Sequence, residues 1–98
     1  MGKPVYKTFK VSWTEAAYAL SEEEREALLA KLGEALDAVG CKRVVLCDST
    51  WASDRWSAFG VEEFPDIEAL QKHAQLLNEI DWYRYIEADT LIGTVWED

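Results

Sequence analysis

The 98-residue chain is 49% hydrophobic and 30% charged, which is typical of one globular domain over residues 1–98 and excludes wholesale disorder. Its formal net charge of −9 argues against nucleic acid and anionic membrane surfaces as partners, because both attract basic patches. No apolar run approaches the roughly 18 residues that cross a bilayer, and the first residues lack the pattern of a signal peptide.

The first half of the chain predicts a strand followed by a helix. Residues 5–13 alternate between apolar and polar side chains, and only Lys7 interrupts the apolar set. Residues 14–20 then form a connector that is apolar for a loop. Ser21 begins a Ser-Glu-Glu-Glu capping box, which predicts the start of an amphipathic helix. Gly40 is expected to end this helix in a left-handed conformation.

The second half predicts two strands, a helix and a last strand. Residues 43–47 form a short apolar strand, and residues 55–64 form the next one. Gly60 in its middle indicates a bulge or a close approach to the backbone. Asp66 caps the second helix, and residues 85–96 form the final strand. The expected buried stripe of the second helix consists of Ile67, Leu70, Ala74, Leu77 and Ile80.

The resulting order, β-α-β-β-α-β, is that of an α+β, ferredoxin-like domain. Four strands then form one antiparallel sheet, and both helices cover one of its faces. The opposite face carries large apolar residues that would make an exposed patch sticky. We therefore expect an isologous homodimer in which two such faces pack together.

Cys41 and Cys47 are the only cysteines, and both fall on one predicted strand. A separation of six residues corresponds to about 20 Å in an extended strand, which is far beyond disulfide reach. Their spacing matches no zinc motif. These observations predict reduced thiols, no metal site and a cytoplasmic protein.

Short motifs along the chain resemble the dimeric α+β barrel superfamily, and within it the small darcynin-type proteins. They are Ala-Leu-Ser at 19–21, Asp48 near a strand end, Ser-Ala-Phe-Gly-Val at 57–61, Phe-Pro-Asp at 64–66 and Ala-Asp-Thr-Leu-Ile-Gly at 88–93. The superfamily includes cofactor-independent monooxygenases of polyketide aromatics, lactone isomerases, haem-dependent dehydratases and chlorite-degrading enzymes. The resemblance implies a site in a cavity of each subunit, between sheet and helices or in the barrel, and leaves the chemistry open.

Three polar residues are candidate catalytic groups. His73, the only histidine, lies at the margin of the second helix's buried stripe, where it serves as a general base, a haem or metal ligand, or a structural hydrogen-bonding group. Asp48 ends a strand near aromatic residues and acts as an acid or base, or only caps the following turn. Arg55 clamps an anionic substrate or stacks on an indole, or pairs with Asp54 at the surface.

Five tryptophans in so short a chain indicate either an apolar pocket or an aromatic seam between two copies, with equal weight. The candidate substrate-binding residues are Trp13, Tyr18, Trp51, Trp56, Phe59, Leu77, Trp82 and Tyr85. No Gly-rich phosphate loop or nucleophile elbow is present, which argues against NAD, ATP and hydrolase chemistry.

The leading hypothesis is a homodimer that binds a small apolar or aromatic molecule without a cofactor. Oxygenation, isomerisation and cyclisation are the reactions considered for it. The first alternative is a non-catalytic ligand sensor or assembly module, in which the tryptophans seal the dimer. The second alternative is a haem protein with His73 as the axial ligand, which requires a Soret band that is lost in His73→Ala.

Overall fold

Four strands and four helices make up the fold in the computed structural model, which describes residues 2–97. In chain order they are β1 (Val5–Trp13), α1 (Glu15–Tyr18), α2 (Glu22–Ala38), β2 (Lys42–Asp48), β3 (Ala58–Phe64), α3 (Ile67–Glu79), α4 (Trp82–Tyr85) and β4 (Ile86–Gly93). The strands form one sheet in the order β2-β3-β1-β4, and every neighbouring pair is antiparallel. The predicted ferredoxin-like order is therefore confirmed.

The register of the central strands decides which side chains face the helices. Val5 lies opposite Phe64 and Lys7 opposite Glu62 across the β1–β3 ladder, and all four side chains are buried. Because strand side chains alternate, the other parity of β1 and β3 points to the uncovered face of the sheet. Two hydrophobic clusters fill the helix side. One consists of Val5, Val39, Phe64 and Leu70, and the other of Leu28, Leu77, Trp82 and Ile86.

The predicted helix ends are confirmed where short-range hydrogen bonds define them. The Glu24 amide donates to Ser21 Oγ at 3.1 Å, and the Ser21 amide donates to the Glu24 carboxylate at 2.9 Å. Gly40 follows α2 with a φ of 68°. The Asp66 carboxylate accepts from the Ala69 amide at 2.8 Å at the start of α3. Each device satisfies backbone groups that a helix end leaves without partners.

Two short helices replace structure that the sequence pattern predicts differently. The connector after β1 contains α1, whose first turn is capped by Thr14. The residues before β4 form α4, so the last strand begins at Ile86 and ends at Gly93. Asp81 precedes α4 with a φ of 62°, a left-handed conformation that turns the chain out of α3. Alternation alone did not reveal α4, because a single helical turn is too short to establish a periodicity.

The strand predicted over residues 55–64 begins later, at Ala58. Ser53 causes this difference, because its Oγ accepts from the amides of Arg55 and Trp56 at 3.1 and 2.9 Å. Side-chain hydrogen bonds of this kind compete with a strand ladder. Within β3, a Cβ atom at Gly60 would collide with the Val45 carbonyl oxygen and approach the Phe9 ring to 2.8 Å. The predicted close approach is thus confirmed.

The buried stripe of α3 differs from the predicted one at its centre. Leu70, His73 and Leu77 are the buried residues of this helix, whereas Ile67 and Ala74 are exposed. Leu70, His73 and Leu77 are spaced three and four residues apart, so they project from one side of α3, and that side faces the sheet. His73 therefore lies in the centre of the covered stripe and not at its margin.

Cys41 and Cys47 are both free and half-buried. Within residues 2–97, no helix combines the length and the apolar character that a membrane crossing requires.

Candidate functional site

A partly open cavity of about 180 Å³ lies between the helix side of the sheet and helices α2 and α3. The central strands β1 and β3 form its floor, and α4 closes one end. Most of its wall is apolar, and includes Val11, Trp13, Leu32, Leu77, Trp82 and Ile86. A cleft or cavity with mostly apolar walls and a few polar groups is the usual form of a small-molecule site.

One side of the cavity carries four polar side chains, which we call the polar wall: Lys7, Arg43, Glu62 and His73. Lys7, Glu62 and His73 are 9%, 5% and 2% exposed. Arg43 is more open, and its Nη2 lies 3.8 Å from Glu62 Oε2. Charged side chains are almost never this deeply buried without a reason in structure or function.

Burial and mutual attraction act in opposite directions on the charged members of the polar wall. Burial lowers the pKa of Lys7, and the nearby Glu62 carboxylate opposes that change. Burial likewise raises the pKa of Glu62, while Lys7 and Arg43 oppose the rise. Each charge therefore favours the ionised form of the other, in a buried environment where one charge alone would carry a large desolvation cost.

His73 differs from its neighbours because its ring nitrogens have no hydrogen-bond or ion-pair partner among the described residues. Within the described part of the chain, neither its Nδ1 nor its Nε2 has a hydrogen-bond partner, although both are buried. Its ring lies 5.1 Å from that of Phe64, centroid to centroid. Burial, assisted by the charge of Lys7, lowers the pKa of His73 to about 4. At neutral pH the imidazole is therefore uncharged, with one donor and one acceptor available.

A second, more open groove leads to the polar wall from outside. It lies between α3 and β4, and it shares Lys7, His73, Tyr83 and Thr90 with the cavity. Tyr83 belongs to α4 and is 46% exposed, so it stands at the boundary between groove and cavity. The polar wall can thus be approached from solvent without passing the apolar end.

Four of the residues predicted for the site meet in the cavity. Trp13, His73, Leu77 and Trp82 all line it, and the rings of Trp13 and Trp82 make an edge-to-face contact with centroids 6.0 Å apart. Tyr85 is half-buried and packs against the same hydrophobic cluster, but it does not reach the cavity wall.

Asp48 lies outside the cavity, at the exposed end of β2. Its Oδ1 accepts from the Thr50 amide at 2.9 Å and from Thr50 Oγ1 at 2.7 Å. These hydrogen bonds lower the pKa of Asp48. This geometry is that of a turn-capping aspartate.

Arg55 lies on the opposite side of the sheet from the cavity. Its Nη2 donates to Glu87 Oε2 at 2.9 Å, and its guanidinium stacks on the Trp56 ring at 4.1 Å. The predicted stacking on an indole is present, and the ion-pair partner is Glu87 and not the neighbouring Asp54.

The remaining predicted residues are also away from the cavity. Tyr18 and Trp51 are 67% and 84% exposed. Phe59 is opposite Lys10 in the β1–β3 ladder, and this parity places it on the uncovered face of the sheet. The structure therefore divides the aromatic set between the cavity, the surface and the uncovered face.

Sequence reasoning missed Lys7, Arg43 and Glu62. A signal existed for Lys7, because it interrupts the apolar parity of β1 and so places a charge among buried positions. Arg43 and Glu62 carried no comparable signal, since their meeting depends on the register of three strands. Among the residues that the structure describes, no three His, Cys, Asp or Glu side chains are close enough together to hold a metal ion.

Comparison with known proteins identifies the fold. No family model matches the chain, and no curated protein does. A protein of unknown function from Rhodopseudomonas palustris matches with a TM-score of 0.69 and 13% identity, over 100% of this chain and 86% of that one. A dimeric ferredoxin-like protein of unknown function from Thermobifida fusca matches with a TM-score of 0.60 and 14% identity, over 97% and 93%.

A dimeric protein of unknown function with a ferredoxin-like fold, from Bacteroides fragilis, matches with a TM-score of 0.53 and 12% identity, over 94% of this chain and 96% of that one. At these identities the likeness concerns the fold and not the chemistry. The finer resemblance to darcynin-type proteins stays a prediction. Topology and comparison together show that the chain has an α+β, ferredoxin-like fold.

Proposed function

We propose that the protein binds a small, largely apolar, ring-sized molecule in the cavity between its sheet and its helices. The observation that supports this most directly is the cavity itself, with about 180 Å³ of space and mostly apolar walls. An apolar protein cavity of about 150 Å³ accommodates benzene. The volume therefore suits one ring with a small substituent.

His73 supplies the chemical competence of the site. The uncharged His73 imidazole lines the cavity and offers one donor and one acceptor to a bound molecule, because no other hydrogen bond within residues 2–97 competes for its nitrogens. Proton removal is a first step open to isomerisation, cyclisation and oxygenation without a cofactor. Because burial lowers the pKa of His73 to about 4, this step requires that the bound molecule raise the pKa of His73. A bound ligand that is recovered unchanged would instead favour the sensor alternative.

Binding is tested by nuclear magnetic resonance, with toluene as the probe. The indole N–H signals of Trp13 and Trp82 should shift on titration, since both rings line the cavity. Ala58→Leu adds bulk to the cavity wall and should abolish the shifts. The matched control Ala30→Leu changes an exposed position of α2 and should retain them. Equal shifts in both variants, or none in the unaltered protein, would contradict the proposal.

Haem, which some superfamily members use, does not suit this cavity. The space corresponds to one ring, whereas a haem carries four pyrrole rings around its iron. His73 would be the nitrogen ligand of the iron, but the volume beside it does not match the macrocycle. The haem alternative stays a prediction with a spectroscopic test, and no step of the proposal depends on it.

We further propose that two copies associate through the uncovered face of the sheet. The Thermobifida and Bacteroides proteins of this fold are described as dimeric. In this chain the uncovered face carries Val45, Phe59 and Leu91, which are 43%, 46% and 73% exposed. Apolar side chains grouped on one face favour association, because burial removes them from water.

Sedimentation velocity tests this association. Leu91→Asp places a charge on the uncovered face and should convert a dimer into a monomer. Tyr18→Asp introduces the same residue at a position of α1 that is 67% exposed, and it should leave the dimer intact. A monomeric unaltered protein at high micromolar concentration would refute the association.

A further inference from the structure

We propose that the cavity selects an anionic ligand, namely a small cyclic or aromatic carboxylate, with its ring on the apolar wall and its carboxylate toward Lys7 and His73. This inference rests on the proposed function, because it specifies the chemical class of the molecule that the cavity binds. Nothing in the fold comparison indicates a charge on the ligand. The charge of the ligand is inferred from the composition and the pairing of the polar wall.

The polar wall has more positive than negative groups. The titratable side chains that line the cavity are Lys7, Arg43, Glu62, His73 and Tyr83. Burial raises the pKa of Tyr83 and lowers that of His73, so both are neutral at pH 7. Two cations therefore face a single carboxylate, inside a protein whose overall charge is −9. This local reversal of sign is where an anion would be attracted.

Lys7 is the cation whose charge is not balanced at close range. Glu62 is shared with Arg43, at 3.8 Å. Within the described chain, no carboxylate oxygen lies within 4.0 Å of Lys7 Nζ. A lysine that is 9% exposed retains its charge more favourably when a second anion approaches it. A ligand carboxylate would supply that anion.

His73 provides the second contact that such a ligand needs. Its imidazole is 2% exposed, lines the cavity and has an N–H group without an acceptor. A carboxylate has two oxygens, and each accepts hydrogen bonds. One oxygen can accept from Lys7 and the other from His73, so that one ligand group satisfies both. An uncharged hydrocarbon would leave both residues unsatisfied.

The rest of the cavity determines what carries the carboxylate. Trp13, Leu77 and Trp82 offer apolar and aromatic surface next to the polar wall. The volume of about 180 Å³ limits the ligand to about one ring. A small inorganic anion would leave this apolar surface without a partner, so the geometry favours an organic acid.

Calorimetric titration with benzoate, benzamide and toluene tests the inference at pH 7 and fixed ionic strength. Benzoate and benzamide have nearly the same shape but differ in charge. We expect the affinity for benzoate to be at least about tenfold higher than that for benzamide, because charge-assisted hydrogen bonds are stronger than neutral ones. This comparison uses the unaltered protein, so it does not depend on whether any variant folds.

Lys7→Met should reduce the affinity for benzoate to that for benzamide and leave toluene binding unchanged. Lys10→Met is the matched control, because Lys10 lies on the same strand, on the opposite face of the sheet, with a side chain that is 54% exposed. It removes the same charge and should retain the preference for benzoate. Equal losses in the two variants would overturn the assignment to Lys7.

The possible outcomes separate the two proposals. Equal affinities for benzoate and benzamide, with toluene binding retained, would overturn the anionic ligand and leave the proposed binding function standing. Failure of all three probes to bind would overturn both. Preference for benzoate that requires Lys7 but not Lys10 would support both.

Discussion

Replacement of His73 by leucine provides a quantitative test of the unsatisfied imidazole. A buried polar group without a hydrogen bond costs about 1–3 kcal/mol, and leucine removes that cost at a similar volume. Loss of the ring contact with Phe64, whose centroid is 5.1 Å away, destabilises the variant by about 0.5–1.5 kcal/mol. The free energy of unfolding of the unliganded protein should therefore rise by about 1 kcal/mol in His73→Leu.

Thermal and urea denaturation at pH 7 measure this change. For a domain of this size, about 1 kcal/mol corresponds to roughly 4–8 °C in Tm. Protein concentration must be held fixed, because the Tm of a dimer depends on it. His73→Gln is the control, since it keeps a polar group at the buried position and should not be stabilised. The same His73→Leu protein should bind benzoate more weakly than the unaltered protein.

A destabilised His73→Leu protein would refute this reasoning. If its unfolding free energy fell by more than about 1 kcal/mol, the imidazole would have to make favourable hydrogen bonds in the unliganded state. A stabilised variant that lost benzoate binding would show that the residue is retained for the ligand and at the expense of the fold, as functional sites often are.

Three further predictions concern pH, glycine and helix capping. As pH falls from 6.5 to about 4, the free energy of unfolding of the unaltered protein should decrease by about 3 kcal/mol more than that of His73→Leu. The reason is that the folded-state pKa of His73 is lowered to about 4, so the unfolded chain takes up the proton first. An equal pH dependence of the two proteins in urea denaturation would contradict this. Gly60→Ala should destabilise by about 1–3 kcal/mol through its collision with the Val45 carbonyl. Gly33→Ala should stabilise by about 0.5–1 kcal/mol, since apart from the adjoining residues and backbone of α2 no described atom lies within 4 Å of the added Cβ. Changes in Tm of the same sign in Gly60→Ala and Gly33→Ala would refute this contrast. Ser21→Ala removes the capping box and should cost about 1 kcal/mol, with an unchanged Tm as the contrary result.

The features that could be predicted from sequence are those whose interactions close within a few residues. The capping box at Ser21, the left-handed Gly40 and the cap at Asp66 each depend on neighbours in the chain. The alternation of β1 likewise fixes which of its residues share a face. The element order follows from such local patterns, and from it follows the ferredoxin-like fold.

The candidate site was only half predictable for the same reason. Trp13, Leu77 and Trp82 were expected to line a pocket because large apolar side chains seek burial wherever the fold places it. The same argument selected Trp51, which is 84% exposed, because composition does not distinguish a core aromatic from a surface one. His73 was identified as a candidate, but its depth depends on the side from which α3 meets the sheet.

By itself, the sequence determined the order of the main elements, the capped ends of α2 and α3 and the two faces of each strand, since these follow from hydrogen bonds and periodicities over a few residues. Only the tertiary structure decided that Lys7 lies opposite Glu62, that Arg43 shares the same carboxylate, and that His73 is buried beside them. Those encounters depend on the register between strands distant in the chain and on the irregularity in β2 between Arg43 and Val45. The charge of the polar wall, and with it the class of ligand proposed here, is a property of that long-range register.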